Sequence, residues 1–254
     1  MDKKNFTITK QNAAGYTKKI AKFIKDYVTG AKKDGVVMGL SGGLDSSVVA
    51  RLVQEAGIPL TVVVILDKDE LFASGGLEHA RELITKFKLD FKVLSIKNAC
   101  EQLELGAGEA LCDASRYGLR PRIRMSLLYA LATNSNRLVA GTTNFDETVI
   151  GYYTKWGDGA SDFNPLGMLT KGEIKILAAQ LGVPQAIIDK APSADEFVGQ
   201  TDEKEFGFTY DQLDKFVLKG TSGDKKADAA IKERAKLSLH KKSDIPVFNE
   251  KKQA

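Results

Sequence analysis

The stretch Val36-Val37-Met38-Gly39-Leu40-Ser41-Gly42-Gly43-Leu44-Asp45-Ser46-Ser47 joins two different kinds of sequence. Val36–Leu40 is a short apolar run behind Gly35 and reads as a buried strand. Asp45–Ala56 reads as a helix, stopped by Gly57 and Pro59. The glycines between them let the backbone turn tightly and approach a ligand, and hydroxyls and amides at a helix N-terminus face an anion. Asp45 is out of place beside a bare phosphate. It fits if a divalent cation lies between, because Mg²⁺ is commonly held by one or two carboxylates plus phosphate oxygens. The plain alternative is a Gly-rich turn capped by Ser41 or Asp45. No Gly-Lys-Ser/Thr follows, so this is not a Walker loop, and the G-x-G-x-x-G dinucleotide spacing is absent.

Outward from that loop, strands and helices alternate. Tyr16, Ile20, Phe23, Ile24, Tyr27 and Val28 fall at helical spacing. Leu60–Leu66, Phe91–Ile96 and Arg137–Ala140 read as further strands, with helices over Leu77–Phe87 and Ile123–Ala132. Helices follow at Lys171–Leu181, Ala186–Asp189, Tyr210–Leu218 and Ala227–Leu239. Such alternation implies a parallel sheet covered on both faces. The 191–207 segment lacks periodicity and reads as a mobile active-site loop, and 243–254 as a loosely held tail.

Composition removes several classes. With 254 residues, 43% hydrophobic and 28% charged, the chain is a globular protein of one large domain or two small ones. A net charge of +4 does not mark a nucleic-acid binder. Two cysteines and two histidines exclude a disulfide scaffold or a metal site rich in Cys or His. The first residues show no apolar signal segment, and the longest apolar stretch, near Ile58–Leu66, is far short of a membrane span. A reduced, cytoplasmic protein is expected.

A second block carries more chemistry. Arg122-Ile123-Arg124-Met125 opens a helix, and Gly141-Thr142-Thr143-Asn144 follows the fourth strand, with Glu147 three residues on. Gly151–Leu166 is too polar and Gly-rich for a core and reads as a loop at the C-terminal edge of the sheet, where open α/β folds bind ligands. Lys155, Asp158 and Asp162 give it one cation and two carboxylates. Lys171 stands at a helix start, an unfavourable end for a cation, which a nearby triphosphate would explain.

The loop resembles the S-G-G-x-D-S mark of PP-loop ATP pyrophosphatases, which split ATP into AMP and pyrophosphate. Together with G-T-x-N-x-x-E, T-K-x-G-D-G-x-x-D, Lys190-Ala191-Pro192-Ser193, Gly199-Gln200-Thr201-Asp202 and His240-Lys241-Lys242, the chain resembles NAD synthetases over about residues 14–248. The resemblance implies a single domain over 1–254 with the adenine nucleotide alpha hydrolase-like fold: α/β, doubly wound, with a mostly parallel five-stranded sheet and helices on both faces. It places Gly39, Leu40, Ser41, Gly42, Gly43, Leu44, Asp45, Ser46, Thr142, Lys171 and Ser193 at ATP, and Asp45 and Glu147 at Mg²⁺. Arg122, Lys155, Asp162, His240 and Lys241 fall on contacts to deamido-NAD. Lys171 is the implied catalytic cation, and Asp158 or Asp162 the group that takes a proton from ammonium. Leu119 and Pro121 depart from the family's usual Asn and Ala, and Ser193 from a frequent Thr.

The implied reaction adenylates the nicotinate carboxylate of deamido-NAD and displaces AMP with ammonia. The length leaves no room for a glutamine-hydrolysing domain, and Cys100 and Cys112 lie inside the synthetase-like region. A homodimer is carried over from the family, with no nucleic-acid or membrane partner. Two rivals stay open: another PP-loop adenylating enzyme (an amidotransferase or tRNA thiolase), and an inactive nucleotide-binding homologue.

Overall fold

The computed structural model describes residues 6–67, 75–193, 201–243 and 245–248. Helix α1 (Ala13–Gly30) precedes β1 (Gly35–Gly39), α2 (Leu44–Glu55), β2 (Leu60–Leu66), α3 (Gly75–Phe87) and β3 (Asp90–Ser95). Then come α4 (Lys97–Gly106), α5 (Asp113–Asn134), β4 (Arg137–Val139), α6 (Phe145–Ile150) and α7 (Lys171–Gln180). The chain continues through α8 (Gln185–Asp189), α9 (Asp202–Phe206), α10 (Tyr210–Lys219), α11 (Lys225–Leu237) and α12 (Leu239–Lys242).

The strands pair in parallel in the order β3-β2-β1-β4. Val36 of β1 sits opposite Leu60 of β2 on one side and Leu138 of β4 on the other. Because successive side chains of a strand point to opposite faces, β1 feeds two cores. Val36 and Met38 join α1, α2, α3 and α7 on one face, while Val37 packs with Val63, Val139 and the α5 residues Met125 and Leu128 on the other. Each fully buried aliphatic side chain stabilises the fold by about 1.5–3 kcal/mol, so β1 is anchored from both sides. The order reverses between β1 and β4, and the loops leaving the C-terminal ends of these two strands face a shared crevice.

The sheet has four strands among the described residues, not the expected five. Where a fifth would run beside β4, Phe163 makes a single parallel bridge to Ala140. The ladder stops there because the Asp162 carboxylate takes the Val139 N–H at 2.7 Å. Pro165, two residues past Phe163, has no N–H to offer.

A third apolar cluster lies apart from the sheet. Phe145 and Ile150 of α6 pack with Phe206, Phe208, Tyr210, Leu213 and Ile231 from the α9–α11 region. Helix α9 occupies the end of the 191–207 segment expected to be a mobile loop, and 194–200 of that segment lie outside the described residues. Helix α5 also starts ten residues before the expected Ile123 and runs through Pro121. A proline there removes one helical N–H, yet its ring packs against the 151–164 loop: a Cβ on Gly157 would lie 2.9 Å from Pro121 Cβ. Of the tail, Ile245, Val247 and Phe248 are exposed, and the remainder of 243–254 apart from Ser243 and Pro246 lies outside the described residues.

Candidate active site

The loop after β1 turns at Gly42, whose φ of +78° is the left-handed conformation glycine adopts freely. Its hydroxyls fold back on the loop itself: Ser46 and Ser47 both donate to the Gly43 carbonyl, at 3.1 and 2.7 Å. The Gly43 N–H donates to Ser41 Oγ at 3.2 Å. Helix α2 begins at Leu44 with no side-chain cap from Gly43, so its first-turn amides remain for an anion. Asp45 stands in that first turn.

The loop after β4 is built by a capping box. Asn144 Oδ1 accepts the Glu147 N–H at 2.9 Å and Glu147 Oε2 accepts the Asn144 N–H at 3.0 Å. The box locks Glu147 in the first turn of α6 with Oε1 turned toward Lys171, 3.9 Å from its ammonium. Asp45 Oδ2 lies 2.5 Å from the same Nζ, and Asn144 Nδ2 lies 3.5 Å from Asp45 Oδ2. The Tyr210 ring lies 5.1 Å from Nζ, and its hydroxyl donates to Asp202 at 2.9 Å.

Lys171 is thus a buried cation among carboxylates. Burial by itself would pull its pKa down, but Asp45 and Glu147 more than offset that and hold it above the ordinary lysine value. Burial pushes the Glu147 carboxyl up to about 8, with Asp45 adding to the rise and Lys171 opposing it. The cost of a cation at a helix start is met by protein carboxylates, so a triphosphate is not needed to explain it. Burial and then Glu147 and Asp202 also raise the Tyr210 hydroxyl, which stays neutral.

A second group of predicted residues gathers at α5, the 151–164 loop and α12. Arg122 Nε donates to the Lys155 carbonyl at 3.2 Å, and Lys155 Nζ donates to the His240 carbonyl at 2.7 Å. Arg122 and His240 are exposed. Lys241 Nζ is occupied by the Gly151 and Tyr153 carbonyls at 2.8 and 2.7 Å, so its ammonium ties the loop to α12. Asp158 is exposed as a whole residue, but its carboxyl turns inward: Oδ1 accepts the Thr154 N–H at 2.9 Å, and burial pushes the carboxyl above the usual range. The Asp158 carbonyl accepts from Thr143, which brings this loop against the Thr142–Asn144 turn.

The sequence matches the NAD synthase family over residues 16–253. The chain belongs to that family. It is 39% identical over 233 residues to the NH₃-dependent NAD⁺ synthetase of Archaeoglobus fulgidus, covering 90% of this chain and 94% of the relative. Among solved structures, NMN synthetase from Francisella tularensis superposes with a TM-score of 0.89 at 35% identity, covering 96% of this chain and 100% of the other. The NH₃-dependent NAD synthetase of Campylobacter jejuni gives 0.77 at 30% identity, covering 93% and 99%.

Most of the residues expected from the NAD synthase resemblance fall into two groups, with Asp162 and Ser193 in neither. Gly39–Ser46, Glu147 and Lys171 come together at the crevice, and Thr142 lies half-buried on the same β4 loop. Arg122, Lys155, His240 and Lys241 form the second group. Asp162 is built into the fold: Oδ2 takes the Val139 N–H at 2.7 Å and Oδ1 lies 3.4 Å from the Tyr129 hydroxyl. Ser193 is half-buried at the edge of the described residues.

Sequence reasoning assigned nothing to Asn144, Asp202, Tyr210, Asp146 or Asp214. The N-x-x-E spacing is a legible signal for Asn144 and the G-Q-T-D motif for Asp202, but Tyr210, Asp146 and Asp214 have none short of tertiary contact.

Among the described residues, no cluster of three or more His, Cys, Asp or Glu side chains forms a ready-made metal centre. Asp45 and Glu147 nevertheless suit Mg²⁺. Asp45 Oδ1 is buried without a hydrogen-bond partner, and two carboxylates completed by phosphate oxygens and water are a common Mg²⁺ donor set. No helix among the described residues is long and apolar enough to cross a membrane.

Proposed function

We propose that this protein amidates the nicotinate carboxylate of deamido-NAD with ammonia, consuming ATP and releasing AMP and pyrophosphate. The observation that carries this reading is the Asp45–Lys171–Glu147 triad set over the glycine loop at the point where the strand order reverses. In the first step a carboxylate oxygen attacks the α-phosphorus, forming a P–O bond while the bond to pyrophosphate breaks. In the second, ammonia attacks the acyl carbon, AMP leaves with that carboxylate oxygen, and one proton is lost from nitrogen.

The protein's part in the first step is placement and charge. The α2 amides and the Lys171 ammonium neutralise the phosphates and the leaving pyrophosphate. Mg²⁺ held by Asp45 and Glu147 would add charge neutralisation at the phosphates. Arg122 and His240, linked through Lys155, present an exposed polar face to the nicotinate nucleotide. Asp158, whose carboxyl is pushed above the usual range by burial, takes the proton from ammonium in this reading, while Asp162 holds the loop that carries it. Ammonia as donor is supported by a relative named for NH₃ dependence, of which this chain covers 94%. A homodimer and a cytoplasmic location belong to the same reading, the first checked by light scattering.

A second reading keeps the chemistry and changes the substrate to the mononucleotide, nicotinate mononucleotide, giving NMN. The likeness to the Francisella NMN synthetase at a TM-score of 0.89 favours it. One experiment separates the two. The protein is incubated with Mg-ATP, ammonium and either deamido-NAD or nicotinate mononucleotide at equal concentrations. A higher kcat/KM with deamido-NAD supports the first reading and a higher value with the mononucleotide the second. AMP formation with neither rejects both.

A further inference from the structure

Lys171 is the first residue of α7, so its ammonium reaches the triad only if the start of that helix is fixed in place. Two carboxylates from other helices grip it. Asp146 of α6 accepts the Lys171 N–H through Oδ2 at 2.6 Å, and Asp214 of α10 accepts the Gly172 N–H through Oδ2 at 3.0 Å. Oδ1 of each is buried without a hydrogen-bond partner, and burial pushes both carboxyls above the usual carboxylate range, the Asp214 charge adding to the rise at Asp146. The grip is close: a Cβ on Gly172 would lie 2.5 Å from Asp214 Oδ2.

Capping calls for two acceptors at the Lys171 and Gly172 amides, but not for carboxyl groups. Glu173 already accepts the Thr170 N–H at 2.9 Å, and its other oxygen holds the Ile8 N–H at 2.8 Å. Two further carboxyl groups are costly to bury, and a Ser or Asn would cap as well. What the pair adds is geometry. Asp146 is the neighbour of Glu147, and Asp214 shares α10 with Tyr210, whose ring lies beside the Lys171 ammonium. The same two side chains thus tie the lysine's backbone to both helices that line its head group.

We propose that Asp146 and Asp214 are positioning residues of the adenylating site, holding the Lys171 ammonium between Asp45 and Glu147 by gripping the first two amides of α7. The inference rests on the reading of Lys171 as a group that serves ATP.

The test is a double-mutant cycle on the full-length protein. Asp214→Ala lowers kcat for amide formation by about 10–100-fold, the scale of a misplaced catalytic group. In a Lys171→Met background the same change lowers it less than about twofold, because no ammonium is left to misplace. Asp214→Asn, whose amide oxygen can still accept from Gly172 and whose NH₂ can donate to Asp146, returns kcat to within about threefold of the wild type. Gly172→Ala lowers kcat as Asp214→Ala does while leaving every carboxyl in place, and it replaces that variant in the cycle if Asp214→Ala does not fold.

Equal losses in both backgrounds overturn the proposal, as does wild-type turnover in Asp214→Ala. Mg-ATP affinity is measured by calorimetry on the same set. A wild type that binds Mg-ATP but forms no amide with either nicotinate nucleotide rejects the functional reading. The cycle read in Mg-ATP affinity still decides the positioning role. A wild type that does not bind Mg-ATP rejects both.

Discussion

Asp45→Asn removes one negative charge from the buried triad and keeps its shape. In the wild type the Asp45 carboxylate lies 2.5 Å from the Lys171 ammonium and Glu147 lies 3.9 Å from it. Deleting one partner of a buried ion pair usually costs about 3–5 kcal/mol, because the other charge is stranded. Here the stranded lysine has a second partner in reserve. Glu147 is held up at about 8 by burial and, after that, by the Asp45 charge itself. Without that charge, Glu147 ionises more readily near neutral pH and takes over as counter-ion. The fold then loses a charge-assisted hydrogen bond worth about 1.5–3 kcal/mol and regains part of it, a net loss of about 1–2 kcal/mol.

Lys171→Met has no such remedy. It leaves two carboxyl groups facing each other without a cation, and costs about 3–5 kcal/mol. Activity does not follow stability. Asp45→Asn weakens the charge balance around the phosphates and should cost roughly 4 kcal/mol or more of transition-state stabilisation, about a thousandfold in rate. Urea unfolding at pH 7 gives the stabilities, and chromatography of AMP and amide product at saturating Mg-ATP gives the rates. Asp45→Asn as unstable as Lys171→Met would refute the reserve-partner argument. Turnover within about tenfold of the wild type would remove Asp45 from the site.

Other consequences follow from the same contacts. The Glu147 carboxyl has an ordinary value of 4.5 and is raised to about 8 in the fold, so the folded state binds the proton more tightly. Unfolding free energy of the ligand-free protein should therefore fall as pH rises from about 5 to 8. Glu147→Gln should flatten that slope, and identical slopes in the two proteins would contradict it. With ammonium as donor, the amidation rate should climb with pH through the neutral range, since only NH₃ is nucleophilic, and glutamine should not substitute. Efficient glutamine use by the purified chain would overturn this. Gly151 has φ +67° and closes α6, and a Cβ there would lie 2.0 Å from Ser238 Cβ. Gly151→Ala should lower stability by about 2 kcal/mol or more and loosen the Lys241 ties to the loop. A thermal midpoint equal to the wild type's would show that the loop can give way.

The amino-acid sequence by itself carries the strand–loop–helix around Ser41–Ser47, because an apolar run, two glycines and a helix-starting Asp are local signals. It carries the parallel sheet for the same reason: β1 and β2 read as buried runs, and the intervening helices have their own period. The spaced motifs pick out Asp45, Glu147 and Lys171, which the fold brings together. Other features depended on contacts between distant segments. The fifth strand was lost to a competition for the Val139 N–H that only the folded loop creates. Helix α5 passes through Pro121 because the 151–164 loop packs against it. Above all, the state of Lys171 was decided in three dimensions. A cation at a helix start looks unfavourable in one dimension, but Asp45 from 126 residues away lies against its ammonium, with Glu147 and Asp202 adding negative charge. Electrostatic energy depends on distance in space and on burial, and neither is written in the spacing of residues along the chain.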